Sequence, residues 1–397
     1  MAWGNTNVKR EQVKFIGDWL KETYSFSDLC AKYGISRKTG YKLVNKFERE
    51  GERAFEPKSH ARHTHPNKTS EETIARILAL KCRYPKWGPQ TLRTWMLRNE
   101  PGLPCPATST IGEFLRKMQL VIPKKSRRHV PPHSAPLAGC DEPNQIWSAD
   151  FKGKFRMEDR HYCNPLTISD NFSRYLLGCT GLERATLDET RKCFIRVFRE
   201  YGLPNAIRTD NGSPFAGTGI GGLSQLSIWW LKLGILPERI ALGCPQQNGR
   251  HERMHRTLKE ATAKPASKNL AEQQKSFGKF MEEYNHQRPH QALGGRCPAD
   301  VYSASHRGYP EKLPEIIYPH HMEIRMVKHN GEIKWAGKRY FLSQLLTGEP
   351  VGLENIEDGV AIIYFGRLKL GKMDARDDRI TRIDQEKSGT VLPIIPV

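Results

Sequence analysis

The 397-residue chain has no long apolar run, no Cys-x-x-Cys pair and no excess of acidic residues. Its mean hydropathy of −0.63 predicts that no segment spans a membrane, and the N-terminus lacks the basic-then-apolar pattern of a signal peptide. The nine scattered cysteines predict reduced thiols in a cytoplasmic protein. With 38% hydrophobic residues, the chain can still bury real cores, and its length predicts two or three domains.

Positive charge is what the sequence has in excess, with 63 Lys and Arg against 43 Asp and Glu, a net charge of +20. Residues 1–143 hold 26 basic and 14 acidic residues, residues 144–310 hold 24 and 16, and residues 311–397 hold 13 of each. The excess is dispersed over two thirds of the chain, whereas a polybasic membrane anchor would be a compact cluster. We therefore expect a nucleic-acid partner and no membrane partner.

Residues 1–56 form the first predicted domain, with three helices within residues 9–50. Gly34 supplies a turn, and Ser36 is a suitable cap for the third helix. A short helix, a glycine turn and a Ser/Arg/Lys-rich helix start are typical of a helix-turn-helix module, whose third helix enters the major groove of DNA. The alternative is a plain three-helix core with a solvated charged face. The candidate DNA-facing residues are Ser36, Arg37, Lys38 and Lys42.

A second helical module is predicted over residues 69–122, with helices at 70–81, 88–99 and 108–118. The basic, His-rich stretch Lys58–Lys68 joins it to the first module, and a zinc site there is disfavoured because no cysteine pair accompanies the histidines. A basic and Pro-rich linker over residues 123–143 follows. Its basic run is equally compatible with phosphate contact and with simple solvation.

From residue 144 the pattern becomes strand-like. Three antiparallel strands, a helix and a further strand predict an α/β unit with acidic residues at the strand ends. The predicted strands are Ile146–Phe151, Leu166–Asp170, Arg174–Cys179 and Ala206–Thr209, and the predicted helix is Leu187–Tyr201.

Three acidic residues of this unit are the candidate catalytic residues. Asp150 and Asp210 lie where predicted strands stop, and Asn248 is a suitable N-cap for a helix with Glu252 in its first turn. Taken singly, each acid is better explained as a turn residue or a helix-dipole partner. Three carboxylates that converge on one point require a cation between them, and hard oxygen ligands suit Mg²⁺ or Mn²⁺. Two such ions could polarise the attacking oxygen and the leaving oxygen of an in-line phosphoryl transfer.

Four motifs together resemble the integrase-type core of DDE transposases: Trp147-x-x-Asp150, Thr209-Asp210-Asn211-Gly212, Gln247-Asn248-Gly249-x-x-Glu252 and the tract Tyr284–Gly294 with Pro298. The order of parts resembles bacterial insertion-sequence transposases with helix-turn-helix N-termini, relatives of retroviral integrases. The resemblance covers about residues 144–302. It implies a ribonuclease-H-like fold in which Asp150, Asp210 and Glu252 form the metal-binding triad.

The resemblance also gives a role to the basic residues around Glu252. Lys259, two helical turns after Glu252, matches the position by which these families contact transposon-end DNA. Beside a metal site, the nearby basic side chains are expected to lie along DNA phosphates, although a solvated face is the alternative. They are Arg250, His251, Arg253, His255 and Arg256. In the tract Tyr284–Gly294, packing or phosphate contact is expected of His286, Arg288 and His290.

One departure from the family pattern concerns spacing. Asp210 and Glu252 are separated by 41 residues, more than is usual in the superfamily, and the Gly-rich loop Gly217–Gly222 is the expected source of the extra length. Glu260 is the competitor for the third acid. Because it lies two turns into the helix and outside the Asn-Gly-x-x-Glu pattern, Glu252 is preferred.

Residues 313–397 alternate like short strands separated by Gly, Asn and Asp turns, and we expect a small β-barrel there. Integrase relatives carry such a domain after the core, where it binds DNA or a second protomer. Because this segment is neutral, contact with a protomer or shape-directed DNA contact is favoured over a dominant electrostatic role.

The combined expectation is a multidomain DNA transposase, with helix-turn-helix modules before an integrase core at residues 144–305. It would bind the terminal inverted repeats of its element, cleave them with two Mg²⁺ or Mn²⁺ ions, and join them to target DNA as a homo-oligomer. As a bacterial protein it is expected in the cytoplasm, associated with the nucleoid through DNA. The rivals are a DNA-binding regulator with a non-catalytic integrase-like core, and a plain ribonuclease-H-type nuclease.

Overall fold

The computed structural model describes residues 8–56, 69–121, 139–151, 153–217, 219–241, 245–377 and 379–382. The chain divides into two compact units, Met1–Thr69 and Ser70–Val397. The linker Lys58–Lys68 and the basic run of the second linker lie outside the described residues. Within the ranges given above, no helix combines the length and the apolar character needed to cross a bilayer.

The first unit consists of three helices: α1 (Val8–Leu20), α2 (Phe26–Lys32) and α3 (Arg37–Glu50). Their core includes Phe15, Ile16, Leu29 and Val44. The hydroxyl of Ser36 accepts a hydrogen bond from the Thr39 amide at 3.2 Å and caps α3, as predicted. Gly34, with φ of 63°, makes the left-handed turn between α2 and α3 that a side chain would strain. The helix-turn-helix layout is confirmed.

The second helical module opens the second unit with α4 (Glu71–Arg83), α5 (Pro89–Asn99) and α6 (Thr108–Lys117). Ser70 caps α4, and Pro89 occupies the first position of α5, where its missing N–H is not needed. The helices pack around a fully buried Trp87. The other members of this cluster include Leu80, Leu92, Met96, Ile111 and Leu115.

A six-stranded sheet follows, with β1 (Ile146–Phe151), β2 (Phe155–Arg156), β3 (Tyr162–Asp170), β4 (Leu176–Leu182), β5 (Ala206–Thr209) and β6 (Leu236–Arg239). The main order is β4–β3–β1–β5–β6, and β2 pairs with the start of β3. The first three long strands are antiparallel, whereas β5 and β6 run parallel to β1. This is the ribonuclease-H-like arrangement that the resemblance implied, and it is confirmed.

Helices cover both faces of this sheet. On one face, α7 (Leu187–Tyr201) and α8 (Gln225–Lys232) bury Phe194, Phe198 and Trp230 against Trp147. On the other face, α9 (Gly249–Thr262) and α10 (Leu270–Glu282) pack on the sheet. Because strand side chains alternate between faces, Trp147 and Ala149 of β1 face α7 and α8. Asp150 is therefore turned towards the face that carries α9.

The C-terminal region is a five-stranded antiparallel sheet in the order β13–β12–β11–β10–β7, with a separate hairpin β8–β9. The expected barrel is wrong, since among the described residues the edge strands β7 and β13 do not pair and the sheet stays open. The strands are β7 (Glu323–Met326), β8 (Glu332–Trp335), β9 (Lys338–Phe341), β10 (Pro350–Glu357), β11 (Val360–Phe365), β12 (Leu368–Asp374) and β13 (Thr381–Arg382).

The sheet stays open because other elements cover its apolar face. The hairpin contributes Trp335 and Tyr340 to the shared core, and the α/β unit contributes Ile228 and Leu231 of α8 and the loop residue Ile220. The apolar face of the sheet is buried against α8, so it does not need a closed barrel to be buried. Ile220 of the Gly-rich loop, which the sequence suggested only as extra length, therefore helps to anchor the C-terminal sheet on the α/β unit.

Candidate active site

Asp150 and Asp210 lie on neighbouring parallel strands at one edge of the sheet. β1 and β5 pair with Ile146 opposite Ala206, Trp147 opposite Ile207 and Ser148 opposite Arg208. Asp210 directly follows β5; if the register continued for two more residues, Asp210 would lie beside Asp150, with both side chains on the face that carries α9. Both residues are partly exposed. The two carboxylates are thus accessible to a ligand at the ends of two paired strands.

The turn after β5 holds the Asp210 carboxylate in place. Its Oδ1 accepts a hydrogen bond from the Gly212 amide at 3.1 Å. A Cβ at position 212 would lie 3.1 Å from Asp210 Oδ2, so the absence of a side chain there keeps space beside the carboxylate. Asn211 Nδ2 donates to the Ile240 carbonyl at 2.8 Å and fixes the turn to the end of β6. The Asp-Asn-Gly sequence therefore forms the turn after β5 and also fixes the position of the Asp210 carboxylate.

Two buried histidines anchor α9 on the sheet. Nε2 of His251 lies 2.7 Å from the hydroxyl of Thr167, and Nε2 of His255 lies 2.6 Å from the same hydroxyl. Ser169 Oγ lies 2.9 Å from His251 Nδ1. Thr167 is paired directly opposite Asp150 in the β1–β3 register and donates to the Asp150 carbonyl at 3.1 Å. One threonine hydroxyl thus connects the first two turns of α9 to the strand that carries Asp150.

The same contacts bring an imidazole to the Asp150 carboxylate, since His255 Nδ1 lies 3.7 Å from Asp150 Oδ2. Burial lowers the pKa of His251 to about 3, so its ring is neutral at neutral pH. With the Thr167 hydroxyl donating to a carbonyl, both imidazoles donate to it through Nε2, and Ser169 donates to the free nitrogen of His251. The expectation that these two histidines lie along DNA phosphates is wrong, because both are buried.

Glu252 lies in the first turn of α9, as predicted, with its side chain exposed. Helical spacing places Arg256 and Lys259 on the same side of α9, and both are exposed. Arg253 is also exposed, while Arg250 donates to the Asn171 carbonyl at 3.3 Å. The N-terminal half of α9 therefore presents one carboxylate among basic side chains at the edge that holds Asp150.

The helix begins differently from the prediction. Asn248 is the last residue of a 3₁₀ turn, Pro245–Asn248, and its side chain makes no capping bond. It is buried instead, at 5% exposure. A backbone that enters α9 already helical leaves no extended residue to act as a side-chain cap, so the position of Glu252 depends on the histidine anchors and not on Asn248.

The donor types at this edge fit a divalent cation, because carboxylate oxygens are the hard ligands that Mg²⁺ and Mn²⁺ prefer. The geometry is open: across the part of the chain that the structure describes, no three His, Cys, Asp or Glu side chains are gathered around one metal position. Asp150 lies on β1, Asp210 directly follows the paired strand β5, and Glu252 is exposed in the first turn of α9. Glu260, the competing acid, lies two turns further along α9.

The tract Tyr284–Gly294 packs in the interior more than the sequence suggested. His286 is exposed, but burial lowers the pKa of His290 to about 4 and lowers that of Arg288. Asn285 is 3% exposed and bonds to the backbone of β4. Packing is thus the role of His290. The polar sequence of this tract did not indicate that Asn285 is buried and bonded to β4.

The four DNA-contact candidates of the first unit share one stretch, the start of α3. Ser36 caps that helix, and Arg37, Lys38 and Lys42 are exposed on it. Gly40 is buried between them, and a Cβ there would lie 2.8 Å from Cys30 Sγ. This close approach of α3 to α2 keeps the basic side chains on the outer face.

Comparison with protein families covers most of the chain. Integrase core domain models match residues 141–245 and 233–298. A helix-turn-helix domain model matches residues 11–63, and a homeodomain-like domain model matches residues 39–115. The C-terminal domain of IS481 family transposases matches residues 322–381.

Individual relatives include insertion-element proteins. A protein of insertion element IS407 from Burkholderia multivorans is 28% identical over 191 residues, which is 46% of this chain and 64% of the relative. A protein of insertion element IS476 from Xanthomonas euvesicatoria is 27% identical over 252 residues, 61% of this chain and 67% of the relative. The chain thus spans just under two thirds of the first of these curated relatives and about two thirds of the second.

Among solved structures, the catalytic core domain of HTLV-2 integrase in complex with magnesium is 19% identical, with a TM-score of 0.33, over 43% of this chain and 100% of that one. The matched domains follow the order found in the structure: helical modules, α/β unit and C-terminal sheet. The chain therefore carries helix-turn-helix domains, an integrase core domain and an IS481-type transposase C-terminal domain, and it is similar to insertion-element proteins.

Proposed function

We propose that this protein is a DNA transposase that binds the terminal inverted repeats of its element and catalyses metal-dependent strand cleavage and strand transfer. The observation that supports the proposal is the parallel pairing of β1 and β5, the strands at whose ends Asp150 and Asp210 lie, next to a helix that bears Glu252 among basic residues. In an integrase core, that edge of the sheet is where a phosphodiester would be held.

Asp150, Asp210 and Glu252 would hold the cations, two Mg²⁺ or Mn²⁺ ions, with Glu252 turning inwards from its exposed position. When bound, the ions supply polarisation of the attacking and leaving oxygens of a phosphoryl transfer. His255 would orient the Asp150 carboxylate, and the Asp210 turn would fix the second carboxylate. Arg253, Arg256 and Lys259 would bind DNA phosphates along α9, and Arg250 would do so beside them.

DNA recognition is assigned to the two helical modules within residues 1–143. Ser36, Arg37, Lys38 and Lys42 on α3 would face the major groove. Because two element ends are cut and joined together, we propose that the active form on DNA is a homo-oligomer. The reaction needs no Ser or Tyr nucleophile, since water and then the freed 3′-hydroxyl attack the phosphodiester.

A strand-transfer assay tests this function. The DNA that flanks the gene supplies a labelled element terminus, which is incubated with the protein, supercoiled plasmid and either Mg²⁺ or Mn²⁺. We expect nicking at the terminus and covalent joining to plasmid. Specific binding without nicking or joining under either metal would support the non-catalytic regulator, and cleavage without joining or end preference would support the nuclease.

Lys42→Gln tests the DNA face of α3. Removing one phosphate contact is expected to reduce the slope of log affinity against log salt by about 1, because each contact releases about one counterion. Lys14→Gln is the matched control, since Lys14 lies on α1 in an ion pair with Glu11. The affinity for a labelled terminus is measured over a salt series, and the slope of log affinity against log salt should fall for Lys42→Gln but not for Lys14→Gln. If both variants keep the wild-type slope, Lys42 does not contact DNA.

Gly212→Ala tests the space beside Asp210. The added methyl group would lie 3.1 Å from Asp210 Oδ2, so the carboxylate must move by a few tenths of an ångström. We expect strand cleavage to slow by about tenfold, because a displacement of about 1 Å can reduce rates about 100-fold. Gly219→Ala, whose new methyl group would meet nothing within 4 Å, is the control. A wild-type cleavage rate in Gly212→Ala would show that the carboxylate position is not critical.

A further inference from the structure

The second helical module, α4 to α6, is bonded directly to the integrase core. The indole Nε1 of Trp87 donates to Glu283 Oε1 at 2.6 Å, and the hydroxyl of Tyr84 donates to Gln287 Oε1 at 2.6 Å. The two acceptors are the first and last residues of a π-helical turn, Glu283–Gln287, that follows α10. This turn lies in the tract that the sequence singled out and that the proposed chemistry does not use.

The module side of this contact is rigid. The rings of Tyr84 and Trp87 stack at 3.8 Å and 6°, and the two residues are only 4% and 0% exposed. The buried ammonium group of Lys81 donates to the carbonyls of Pro85 at 2.7 Å and Trp87 at 2.9 Å, which closes the turn between α4 and α5. Both donors are therefore held in one orientation before they meet the core.

The core side is equally constrained. Single π-helical turns are rare and concentrate at functional sites. Asn285, in the middle of this one, accepts from the Leu176 amide at 2.9 Å and donates to the Leu176 carbonyl at 3.0 Å. Leu176 begins β4 of the catalytic sheet. The bonds thus run from the module through the π-helical turn into the sheet that carries Asp150.

A second group of contacts fixes the rotation of the module. Arg98, at the end of α5, makes a planar two-bond ion pair with Asp300, in which Nη2 lies 2.8 Å from Oδ1. Nearby, Gly295 has φ of 86°, and a Cβ there would lie 2.7 Å from Thr94 Cγ2. Two separate attachments and one close approach prevent the module from pivoting about a single point.

The third helix of the module takes part in none of the attachments named above. The bonds to the core come from α5 and from the turn between α4 and α5, whereas α6 keeps an exposed polar face. In helix-turn-helix modules the third helix enters the major groove. The exposed residues of α6 include Ser109, Thr110, Arg116 and Lys117.

We propose that Tyr84 and Trp87, through Glu283 and Gln287, fix the number of base pairs between the sequence that α6 binds and the phosphodiester that is cut. They are positioning residues, since they touch neither the DNA nor the reacting atoms. The proposal rests on the proposed transposase function. It predicts that breaking the contact leaves binding intact and makes the cut position imprecise.

The test uses the full chain and labelled duplexes of one element terminus, with native spacing or with single base pairs inserted or deleted between the bound sequence and the end. Wild-type protein should favour the native spacing by about 100-fold, because misplacement of reacting groups by about 1 Å has that effect. The double variant Tyr84→Phe/Trp87→Phe keeps the stacked rings and loses both donors. We expect it to bind the duplex normally through the inner sequence, to cut at several neighbouring positions and to discriminate spacings only a few-fold.

Glu283 provides the matched pair of variants on the core side. Glu283→Gln keeps an acceptor for the Trp87 indole and should retain the spacing preference, whereas Glu283→Ala should lose it. Arg98→Gln, which removes the ion pair with Asp300 at a half-exposed site, is a second route should the double variant unfold. If the double variant and Glu283→Ala are both folded and both keep the wild-type spacing preference, the proposal is overturned.

Footprinting without metal separates this proposal from the proposed catalysis. Wild-type protein should protect both the inner sequence and the terminus, and the double variant should protect the inner sequence alone. Wild-type protein that protects both but joins nothing under either metal would refute catalysis while the footprint still decides the role of the contact. Protection of the terminus by the double variant would show that the contact is merely structural.

Discussion

Asp210→Asn should reduce strand cleavage and strand transfer to background while the protein still binds the element terminus. The substitution keeps the shape of the side chain and an oxygen that can accept from the Gly212 amide, so the turn after β5 should survive. It removes the negative charge that a divalent cation requires at this position. Because losing even an outer-shell partner of a metal site commonly costs about 10–100-fold, losing a direct ligand should cost more than about 100-fold.

The measurement is the initial rate of nicking and joining with Mg²⁺, with end binding followed in parallel. Asp188→Asn, which neutralises an exposed acid in the first turn of α7, is the control and should act like the wild type. Joining at the wild-type rate by Asp210→Asn would contradict the assignment of the triad. Loss of end binding together with activity would point instead to a folding defect.

Thr167→Val should both destabilise the integrase core and slow catalysis. The hydroxyl of Thr167 serves three buried partners: His251, His255 and the carbonyl of Asp150. Valine has nearly the same shape but removes the bond that each of these groups makes to the hydroxyl, at about 1–3 kcal/mol for each bond lost. We therefore expect a loss of at least about 3 kcal/mol in the free energy of unfolding, and a slower cleavage rate because α9 is no longer fixed at Asp150.

Urea unfolding monitored by tryptophan fluorescence and the cleavage rate check this prediction. Thr167→Ser keeps the hydroxyl and should retain most of both stability and activity. Ser169→Ala removes only the bond to His251 Nδ1 and should cost about 1 kcal/mol. If Thr167→Val and Thr167→Ser unfold at the same urea concentration, the shared hydroxyl does not hold α9 on the sheet.

Secondary structure in the core could be predicted closely because each element carries its own local signal. Ile146–Phe151, Leu187–Tyr201 and Ala206–Thr209 coincide with β1, α7 and β5. Alternation in β1 puts Trp147 and Ala149 on one face and Ser148 and Asp150 on the other, and the amino-acid sequence alone carries this pattern. The choice of Asp150 and Asp210 as candidates depended on their positions at predicted strand ends and on the family resemblance.

Other features were not predictable because they depend on partners far away in the chain. The histidines of α9 look like basic surface residues until Thr167 and Ser169, more than eighty residues earlier, cover them. The open C-terminal sheet looks like a barrel until α8 and Ile220 take up its apolar face. Strand propensity does not specify which element will cover a sheet.

Positive charge and the ordered motifs by themselves indicated the family resemblance, the DNA partner that we propose and the candidate carboxylates, because composition, strand ends and helix starts are local properties of the sequence. Only the tertiary structure decided that β1 and β5, at whose ends Asp150 and Asp210 lie, pair in parallel and that Thr167 ties α9 to β1. It alone decided that Trp87 attaches the second helical module to the core. Those features arise from packing between segments that are distant in the chain. Buried polar groups there require hydrogen-bond partners, and the local sequence does not indicate which residues those partners are.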